Sequence, residues 1–213
     1  IEEEKNIKYN IKDYHILLGS LGKFLRKSIN DFSNQPTPYI IPDPIRTNKY
    51  KTIFSRNNKI KVGISWLSKG ANNKDRTISL KRLSKIINLE NFEFINLQYG
   101  DTYNERKIFK EKYGKEIITI DNLDLMNDFE GIAAVINSCD FILTIDNWIA
   151  HLSSSIGKKT LIFLPKYTFW YWLTNRSNSV WYLNVKLFRQ KKYRSWKDAI
   201  DTAYTTLLNY KKT

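Results

Sequence analysis

The sequence predicts an α/β protein built on a doubly wound parallel sheet. Five short runs of apolar and β-branched residues recur after residue 60, and the stretches between them leave room for a helix each time. Strands that are mostly apolar on both faces and alternate with helical patterns are typical of a parallel sheet covered by helices. The runs are KVGISW (61–66), FEFINLQ (92–98), EIITI (116–120), DFILTID (140–146) and KTLIFL (159–164).

Two of the intervening stretches space their apolar residues as a helix does. They are SLKRLSKIINL (79–89) and NDFEGIAAVINSC (127–139). In doubly wound sheets, ligands bind in the loops beyond the carboxyl ends of the strands. The rule selects four loops, at 65–76, 98–101, 121–128 and 146–151.

The first sixty residues have a different character. ILLGSLGKFLRKSI (16–29) shows a helical pattern, and QPTPYIIPDP (35–44) holds four of the five prolines. We predict a helical segment and a proline-rich linker over residues 1–45. Residues 46–213 are predicted to form one Rossmann-like domain that ends in a C-terminal helix.

Length and composition favour one sizeable domain with an appendage, because 213 residues with 42% hydrophobic content can bury a core. No apolar run approaches the roughly 18 residues of a membrane-spanning helix, and the opening residues lack the pattern of a signal peptide. The single cysteine, Cys139, is predicted to be a packed thiol, and two histidines are too few for a Cys/His metal cluster. We therefore expect a cytoplasmic protein without a membrane span or a bound metal.

The formal net charge of +14 suits an anionic partner, such as nucleic acid, an anionic membrane surface or a phosphorylated ligand. The lysines are scattered among many asparagines and isoleucines, so a general compositional bias also explains the charge. Signatures of RNP, zinc-finger and helix-turn-helix modules are absent, which disfavours nucleic acid and leaves an RNA-binding domain as a third hypothesis. The motifs of P-loop enzymes, dinucleotide oxidoreductases and α/β-hydrolases are absent as well.

The stretch after the fourth run is the first candidate site. Asp146 or Asn147 is suited to cap a helix that stops at Gly157, and the start of such a helix favours an anion such as a diphosphate. His151 shares a face with Asn147 near this start and is placed to add a hydrogen bond or a positive charge. Alternatively, Asp146 only caps the helix and His151 is a satisfied, half-buried imidazole. The stripe expected to pack on the sheet is Trp148, Leu152 and Ile156.

The loop after the first run is the second candidate site. It holds Lys69, Lys74 and Arg76, and cations in the first loop beyond a strand are placed to clamp phosphates. Solvated lysines are also ordinary in loops. Exposure is favoured for Lys74, and both interpretations stay open for Lys69 and Arg76.

The segment 170–196, WYWLTNRSNSVWYLNVKLFRQKKYRSW, combines tryptophans with Arg176, Arg189 and Arg194. Aromatic planes beside arginines are able to stack a base or a sugar ring. A terminal helix that folds back over a domain buries such residues as well, and packing is the favoured interpretation for most of them.

Eight collinear motifs resemble the C-terminal region of bacterial tetratricopeptide-repeat glycosyltransferases, which are related to heptosyltransferases and more distantly to O-GlcNAc transferases. The resemblance covers roughly residues 38–196. The motifs are PYIIPDP (38–44), KVGISW (61–66), DRTISL (75–80), INLQYGD (95–101), DFILTIDNWIAHLSSSIGKK (140–159), LP (164–165), WYWLTNRSNSVWY (170–182) and LFRQ (187–190).

The resemblance implies a GT-B fold, in which two Rossmann-like domains face each other. The C-terminal domain of that fold binds the donor, a nucleotide diphosphate sugar, without a metal or other cofactor. Residues 46–213 would then be the nucleotide-sugar-binding domain, and residues 1–45 a remnant of the N-terminal half. The family's pattern maps donor binding onto Trp66, Lys69, Arg76, Gln98, Asp146, Asn147 and His151.

The implied activity is an inverting, metal-independent transfer of a sugar to a hydroxyl of a glycan or protein acceptor. The general base is expected on the missing N-terminal domain of the same polypeptide, so no catalytic residue is assigned and the activity of the chain alone is left open. The alternative is a non-catalytic module of the same fold that recognises a glycan or a protein through its aromatic C-terminal region.

Three residues, at two places in the chain, depart from the family. Asn147 stands where many relatives have threonine, so an amide replaces a hydroxyl at the helix start. Glu130 and Gly131 stand where a small hydroxyl residue is common. Both changes leave the identity of the donor open.

Overall fold

The computed structural model describes residues 16–69 and 73–210. The described residues fall into two compact units, which divide between Gln35 and Pro36. The part of the predicted helical segment before residue 16, and residues 70–72 of the basic loop, lie outside the described residues.

The helical pattern predicted over 16–29 gives one short helix rather than a continuous one. Helix α1 spans Leu21–Leu25, with 3₁₀ turns at Leu18–Ser20 and Ile29–Phe32. Gly19 and Gly22 weaken the helix, and α1 buries none of its side chains. Without burial of an apolar face, so short a helix has little to extend it.

The second unit contains a six-stranded, all-parallel sheet. Its strands are β1 (Ile60–Ser65), β2 (Phe92–Asn96), β3 (Ile117–Ile118), β4 (Phe141–Ile145), β5 (Thr160–Leu164) and β6 (Val185–Arg189). Their order in the sheet is β3-β2-β1-β4-β5-β6. This order confirms the predicted doubly wound fold.

Strand β6 is the one strand that the sequence pattern did not predict. The other five overlap the five apolar runs. Strand β6 lies at the edge of the sheet, with Lys186 exposed and Arg189 half-buried. These charges interrupt the apolar run by which a strand is identified, so the segment looked like part of an aromatic region.

Helices cover both faces of the sheet. They are α2 (Pro44–Phe54), α3 (Asn73–Arg76), α4 (Leu80–Ile87), α5 (Tyr103–Tyr113), α6 (Phe129–Ser138), α7 (Trp148–Ser155) and α8 (Lys197–Leu208). The buried residues of α4, α5 and α8 pack on one face and those of α2, α6 and α7 on the other. Each fully buried Val, Leu, Ile or Phe contributes roughly 1.5–3 kcal/mol, so both faces stabilise the sheet.

From Pro36 onward, the proline-rich segment is part of the second unit. The N–H groups of Tyr39 and Ile40 donate to the carbonyl of Ser155, at 2.7 and 3.1 Å, where α7 ends. Asp43 then caps α2 by accepting from the N–H of Arg46 at 2.8 Å. The division of function between residues 1–45 and 46–213 stays a prediction.

No helix within residues 16–69 and 73–210 is long and apolar enough to span a membrane. Cys139 is buried, which confirms the predicted packed thiol. Burial raises the pKa of this thiol to about 12, so it is protonated at neutral pH.

Candidate functional site

The strand order identifies where a ligand is expected. The chain builds β1 to β3 in one direction and then returns to place β4 beside β1, so the winding reverses between these two strands. In doubly wound sheets, the crevice beyond the carboxyl ends of such strands is the usual ligand site. Ser65 ends β1 and Asp146 directly follows β4, so the candidate site is centred on them.

Asn147 connects the two strands at this crevice. It is the N-cap of α7, because its Oδ1 accepts from the N–H of Ile149 at 3.1 Å. The same oxygen accepts from the hydroxyl of Thr144 at 3.1 Å, and Nδ2 donates to Ser65 Oγ at 2.8 Å. The predicted stop is confirmed, since Gly157 follows the helix with φ +79°, in the left-handed region that favours glycine.

Gln98 holds the beginning of the basic loop. Its side chain is buried, and Oε1 accepts from the Ser65 hydroxyl and from the N–H groups of Trp66 and Leu67, at 2.9, 2.8 and 2.7 Å. Its Nε2 donates to the carbonyl of Tyr99 at 3.1 Å. Gln98 therefore fixes the loop after β1 against the end of β2.

Trp66 belongs to the core. Its side chain is fully buried, and Nε1 donates to Glu105 at 2.9 Å. Glu105 also accepts from the N–H of Leu80 at 3.0 Å, so the indole is locked between the loop and the start of α4. A buried indole offers a ligand no surface, so Trp66 contributes to the site through packing and its backbone.

Lys69 lies on the β2 side of the crevice. Its ammonium is 5.6 Å from the centre of the Tyr99 ring, and its N–H donates to the Tyr99 hydroxyl at 3.3 Å. Gly100 makes room for it, since a Cβ at this position would lie 2.6 Å from Lys69 Nζ. Lys69 is exposed and has no salt bridge within the described part of the chain.

Arg76 lies on the opposite side of the crevice. Its guanidinium stands 5.4 Å from the centre of the Phe169 ring, and Nη1 makes a long contact of 3.5 Å with the carbonyl of Asp146. The structure thus brings Arg76 and Asp146 together. Lys74 is exposed, as predicted.

The short helix α3, which carries Arg76, is held by hydrogen bonds from two residues that follow β6. Asp75 accepts from Arg194 Nε and from the Tyr193 hydroxyl, each at 2.9 Å. These bonds lower the pKa of the Asp75 carboxyl below its usual value, the bond from Arg194 being the larger cause. Arg194 therefore positions α3 rather than facing the crevice.

Asp146 is a buried carboxylate at the centre of the site. Its Oδ1 accepts from Trp172 Nε1 at 2.8 Å. Its Oδ2 has no hydrogen-bond donor in good geometry among the described residues, although the Tyr171 hydroxyl interacts with the carboxyl and lowers its pKa. Burial raises the pKa of this carboxyl above its usual value. Asp146 is not the helix cap, so another role is required to explain it.

His151 is enclosed by aromatic side chains. Its ring stacks on Trp172 at 5.2 Å and meets the edge of Tyr171 at 5.1 Å, and Nδ1 lies 3.1 Å from the Tyr182 hydroxyl. Burial lowers the pKa of the imidazole below its ordinary value, with Asp146 acting in the opposite direction. His151 is therefore neutral at pH 7 and offers a ligand a hydrogen bond rather than a charge.

Some of the aromatic side chains in the segment 170–196 are buried and others are exposed. Trp172 and Trp196 are buried, as favoured by the sequence, whereas Trp170 is 73% exposed. Arg189 donates to the carbonyls of Trp172 and Arg176, at 2.6 and 2.9 Å. This arginine holds the loop after β5 in place.

A cleft of about 290 Å³ opens beside Asp146. Four of its lining residues follow β5, in a loop that was not among the predicted site loops. The signal was present, because Pro165 ends an apolar run and the carboxyl-end rule applies to β5 as well. The lining residues are Asp75, Arg76, Asp146, Pro165, Tyr167, Thr168 and Phe169.

Replacing Asp146 with asparagine is expected to raise the free energy of unfolding at pH 7 by about 1 kcal/mol, because it removes a buried charge. The pKa of the Asp146 carboxyl is higher in the folded state than in the unfolded state. The destabilising effect of its charge is therefore absent below the unfolded-state pKa and grows as the pH rises through the folded-state pKa. Urea unfolding from pH 3.5 to pH 7 measures it. Asp121→Asn, at an exposed position, is the control. An Asp146→Asn variant less stable at pH 7 would contradict the expectation.

The comparisons with known proteins found a relative by sequence and solved structures with a similar fold. No family model matches the chain. Over 201 residues the chain is 26% identical to Protein FlbA of Caulobacter vibrioides. The aligned region covers 93% of this chain and 33% of FlbA. Among solved structures, it is similar to the glycosyl transferase family 9 of Veillonella parvula, with TM-score 0.49, 13% identity and coverage of 81% of this chain and 47% of the other. It is also similar to the E. coli heptosyltransferase WaaC with ADP, with TM-score 0.50, 13% identity and coverage of 76% and 48%.

The chain spans a third of FlbA and about half of each solved structure. FlbA is a distant relative. At 13% identity, the likeness to WaaC shows the fold. The six-stranded parallel sheet is therefore like that of the C-terminal domain of a GT-B protein.

Proposed function

We propose that the chain is the donor-binding part of a glycosyltransferase and binds the nucleotide diphosphate of a sugar donor at the crevice between β1 and β4. The observation that carries the proposal is the meeting of a helix start and an arginine at the point where the winding of the sheet reverses. Both favour an anion, and both lie beyond the carboxyl ends of the strands.

The start of α7 has an N–H group left for a ligand. Asn147 Oδ1 accepts from Ile149, and Ala150 donates to the Asn147 carbonyl at 3.1 Å. The N–H of Trp148 has no acceptor among the residues that the structure describes. Together with the positive end of the helix dipole, this N–H suits a phosphate oxygen.

Two cations lie in the loop after β1, where Lys69 contacts Tyr99 and Arg76 contacts the carbonyl of Asp146. We assign the neutralisation of the diphosphate to Arg76 and Lys69, because His151 is neutral at pH 7. Gln98 and Trp66 are buried, so we assign them the positioning of the loop that carries both cations. The E. coli heptosyltransferase in the comparison is described with ADP, which supports a nucleotide as the ligand of this fold.

In the proposed reaction, the oxygen of an acceptor hydroxyl attacks the anomeric carbon of the donor sugar. The bond from this carbon to the diphosphate oxygen breaks with inversion, and the hydroxyl proton passes to a general base. Arg76, Lys69 and the helix start stabilise the charge that develops on the leaving diphosphate without a metal. We assign the base and the acceptor site to a part of a longer protein outside this chain, since the chain spans about half of the solved glycosyltransferase structures.

A second candidate function is recognition of a glycan or a protein without catalysis. Tyr167 and Trp170 are 74% and 73% exposed and offer aromatic surface to a sugar. Binding of a free glycan by a chain that ignores nucleotides would favour this function.

Thermal unfolding in the presence of UDP, GDP, ADP, CMP and their sugar derivatives, at two salt concentrations, tests the proposal. At least one nucleotide is expected to raise the unfolding midpoint more than its nucleoside does, because the phosphates make the proposed contacts. A steep loss of binding to any polyanion with salt would instead indicate an RNA-binding domain. If no nucleotide stabilises the chain, the proposal is wrong for it.

The same titration with an arginine variant locates the site. Arg76→Met keeps much of the side-chain stem and removes the guanidinium, so nucleotide affinity is expected to fall about 10- to 100-fold, as for the loss of a charged hydrogen bond. Arg56→Met is the matched control, because Arg56 is exposed and lies before β1, at the opposite end of the sheet. Equal affinities of the two variants, measured by titration calorimetry, would place the nucleotide elsewhere.

A further inference from the structure

A cavity of about 390 Å³ lies between α4 and the start of α8. Among the described residues, four cationic side chains and one carboxylate line it. The cavity shares no lining residue with the cleft beside Asp146. Its volume is within the range of about 300–1,000 Å³ that is usual for small-molecule sites. The charged residues of the lining are Arg82, Lys85, Arg194, Lys197 and Asp201.

Two of the four cations are paired with carboxylates. Lys85 forms a salt bridge with Asp201 at 2.7 Å, and this contact is the larger cause that lowers the pKa of the Asp201 carboxyl. The charge of Lys197 acts on Asp201 in the same direction from farther away. Arg194 forms a salt bridge at 2.9 Å with Asp75, which does not line the cavity. Neither carboxylate therefore has a second one beside it to balance the remaining cations.

Arg82 and Lys197 leave a surplus of positive charge at the cavity. Both are exposed, and neither forms a salt bridge within the part of the chain that the structure describes. Asp198, the acidic residue in the first turn of α8, does not line the cavity. Like charges around one cavity repel each other, and an anion placed between them offsets this repulsion. The cavity is therefore suited to a ligand that carries more than one negative charge.

The buried part of the lining is apolar and belongs to the core. Trp196 and Ile200 line the cavity and are 3% and 7% exposed, and both pack in the same core cluster. Binding of single-stranded nucleic acid relies on aromatic rings whose faces are free to stack on bases. An indole with so little free surface does not offer such a face, so the lining disfavours a nucleic acid and favours a small anion.

We infer that this cavity binds a small ligand with two linked phosphate groups. The Arg82 guanidinium is able to hold one phosphate through two parallel N–H donors, and the Lys197 ammonium neutralises the other as a point charge. A single carboxylate carries one charge and would leave one of the two cations without a partner. None of these residues is assigned to the donor, so the cavity and the proposed donor crevice are tested separately.

Titration of the chain with pyrophosphate, followed by the amide signals in two-dimensional NMR spectra, tests the site. At about 0.15 M salt, which screens weak surface attraction, saturable shifts are expected at residues 195–199. Any binding of pyrophosphate at the start of α7 is read from residues 147–150 and fitted separately. Orthophosphate is expected to bind the cavity at least about 10-fold more weakly, because one phosphate does not reach both cations.

The double variant Arg82→Gln with Lys197→Gln removes both charges and keeps much of the two side-chain stems. Affinity for pyrophosphate at the start of α8 is expected to fall about 10-fold or more. Lys81→Gln with Lys191→Gln is the matched control, because both lysines are exposed, lie close to the same segments in sequence and do not line the cavity. The two double variants have the same net charge, so the control is expected to stay within about twofold of the unaltered chain.

Absence of saturable shifts at residues 195–199, or equal losses in the two double variants, would overturn the site. Equal affinities for orthophosphate and pyrophosphate would overturn the assignment of two linked phosphates. Shifts confined to the start of α7 would overturn this site and leave the proposed function standing. Thermal unfolding checks that the variants fold. If the Arg82 and Lys197 double variant does not fold, each single variant is expected to lose about threefold in affinity.

Discussion

Replacing Gln98 with leucine is expected to lower the free energy of unfolding by about 3–5 kcal/mol. Oε1 of this buried side chain is the acceptor for Ser65 Oγ and for the N–H groups of Trp66 and Leu67. Leucine has a similar size and no acceptor, so three donors in a buried loop lose their partner together. Each loss costs about 1–3 kcal/mol, and partial relaxation of the loop keeps the total near the lower end. Urea unfolding followed by circular dichroism measures the change.

Gln190→Leu is the matched control for this prediction. Gln190 is also buried, but its Oε1 accepts only two longer bonds, from the N–H groups of Lys166 and Arg194 at 3.3 and 3.2 Å. We expect it to cost about 1–2 kcal/mol. A Gln98→Leu variant that loses no more than this would show that the loop after β1 does not depend on Gln98.

The parallel sheet was predictable because burial of both faces leaves a direct trace in the sequence. Phe94 and Ile95 are neighbours in β2, point to opposite faces and are both buried in apolar clusters. Strand β6 carries Lys186 and Arg189 at the edge of the sheet, where its outer side meets a short segment through an isolated antiparallel bridge between Asn178 and Lys186. An edge strand tolerates charges that a central strand does not, so its sequence is less distinctive.

The location of the candidate site was predictable from the sequence, but the contacts within it were not. The carboxyl-end rule selected the loops that hold Arg76 and Asp146, and the structure brings these two residues together. Sequence alone does not show which groups the protein already uses. The Trp66 indole donates a hydrogen bond to Glu105. Burial among aromatic rings from later in the chain lowers the pKa of His151. Both facts depend on packing between segments far apart in the chain.

Asp146 and Asn147 illustrate the same limit. Either residue type is a good N-cap, and only the backbone geometry decides which one caps α7. The structure gives the cap to Asn147 and leaves Asp146 buried, with an Oδ2 that has no hydrogen-bond donor in good geometry among the described residues. Of the two residues that a sequence pattern offers as the cap, only Asn147 caps the helix.

Replacing Asn147 with alanine is expected to lower the free energy of unfolding by about 2–4 kcal/mol. The substitution removes the cap on the Ile149 N–H, which is worth about 0.5–2 kcal/mol, and it also removes the bond to Ser65 Oγ. Asn147→Thr keeps a hydroxyl that can accept from Ile149 but not the amide that reaches Ser65. We expect it to lose about half as much, and equal losses for alanine and threonine would show that the cap contributes little.

Ser65 connects the contacts of Gln98 with those of Asn147. Its hydroxyl donates to Gln98 Oε1 and accepts from Asn147 Nδ2, so one small residue links the end of β1 to both β2 and α7. Once either partner is lost, the hydroxyl is free to turn, and the second bond contributes less. The double variant Gln98→Leu with Asn147→Ala is therefore expected to lose about 1 kcal/mol less than the sum of the single losses. If the losses in free energy of unfolding are strictly additive in urea, the two hydrogen bonds contribute independently, and Ser65 does not couple them.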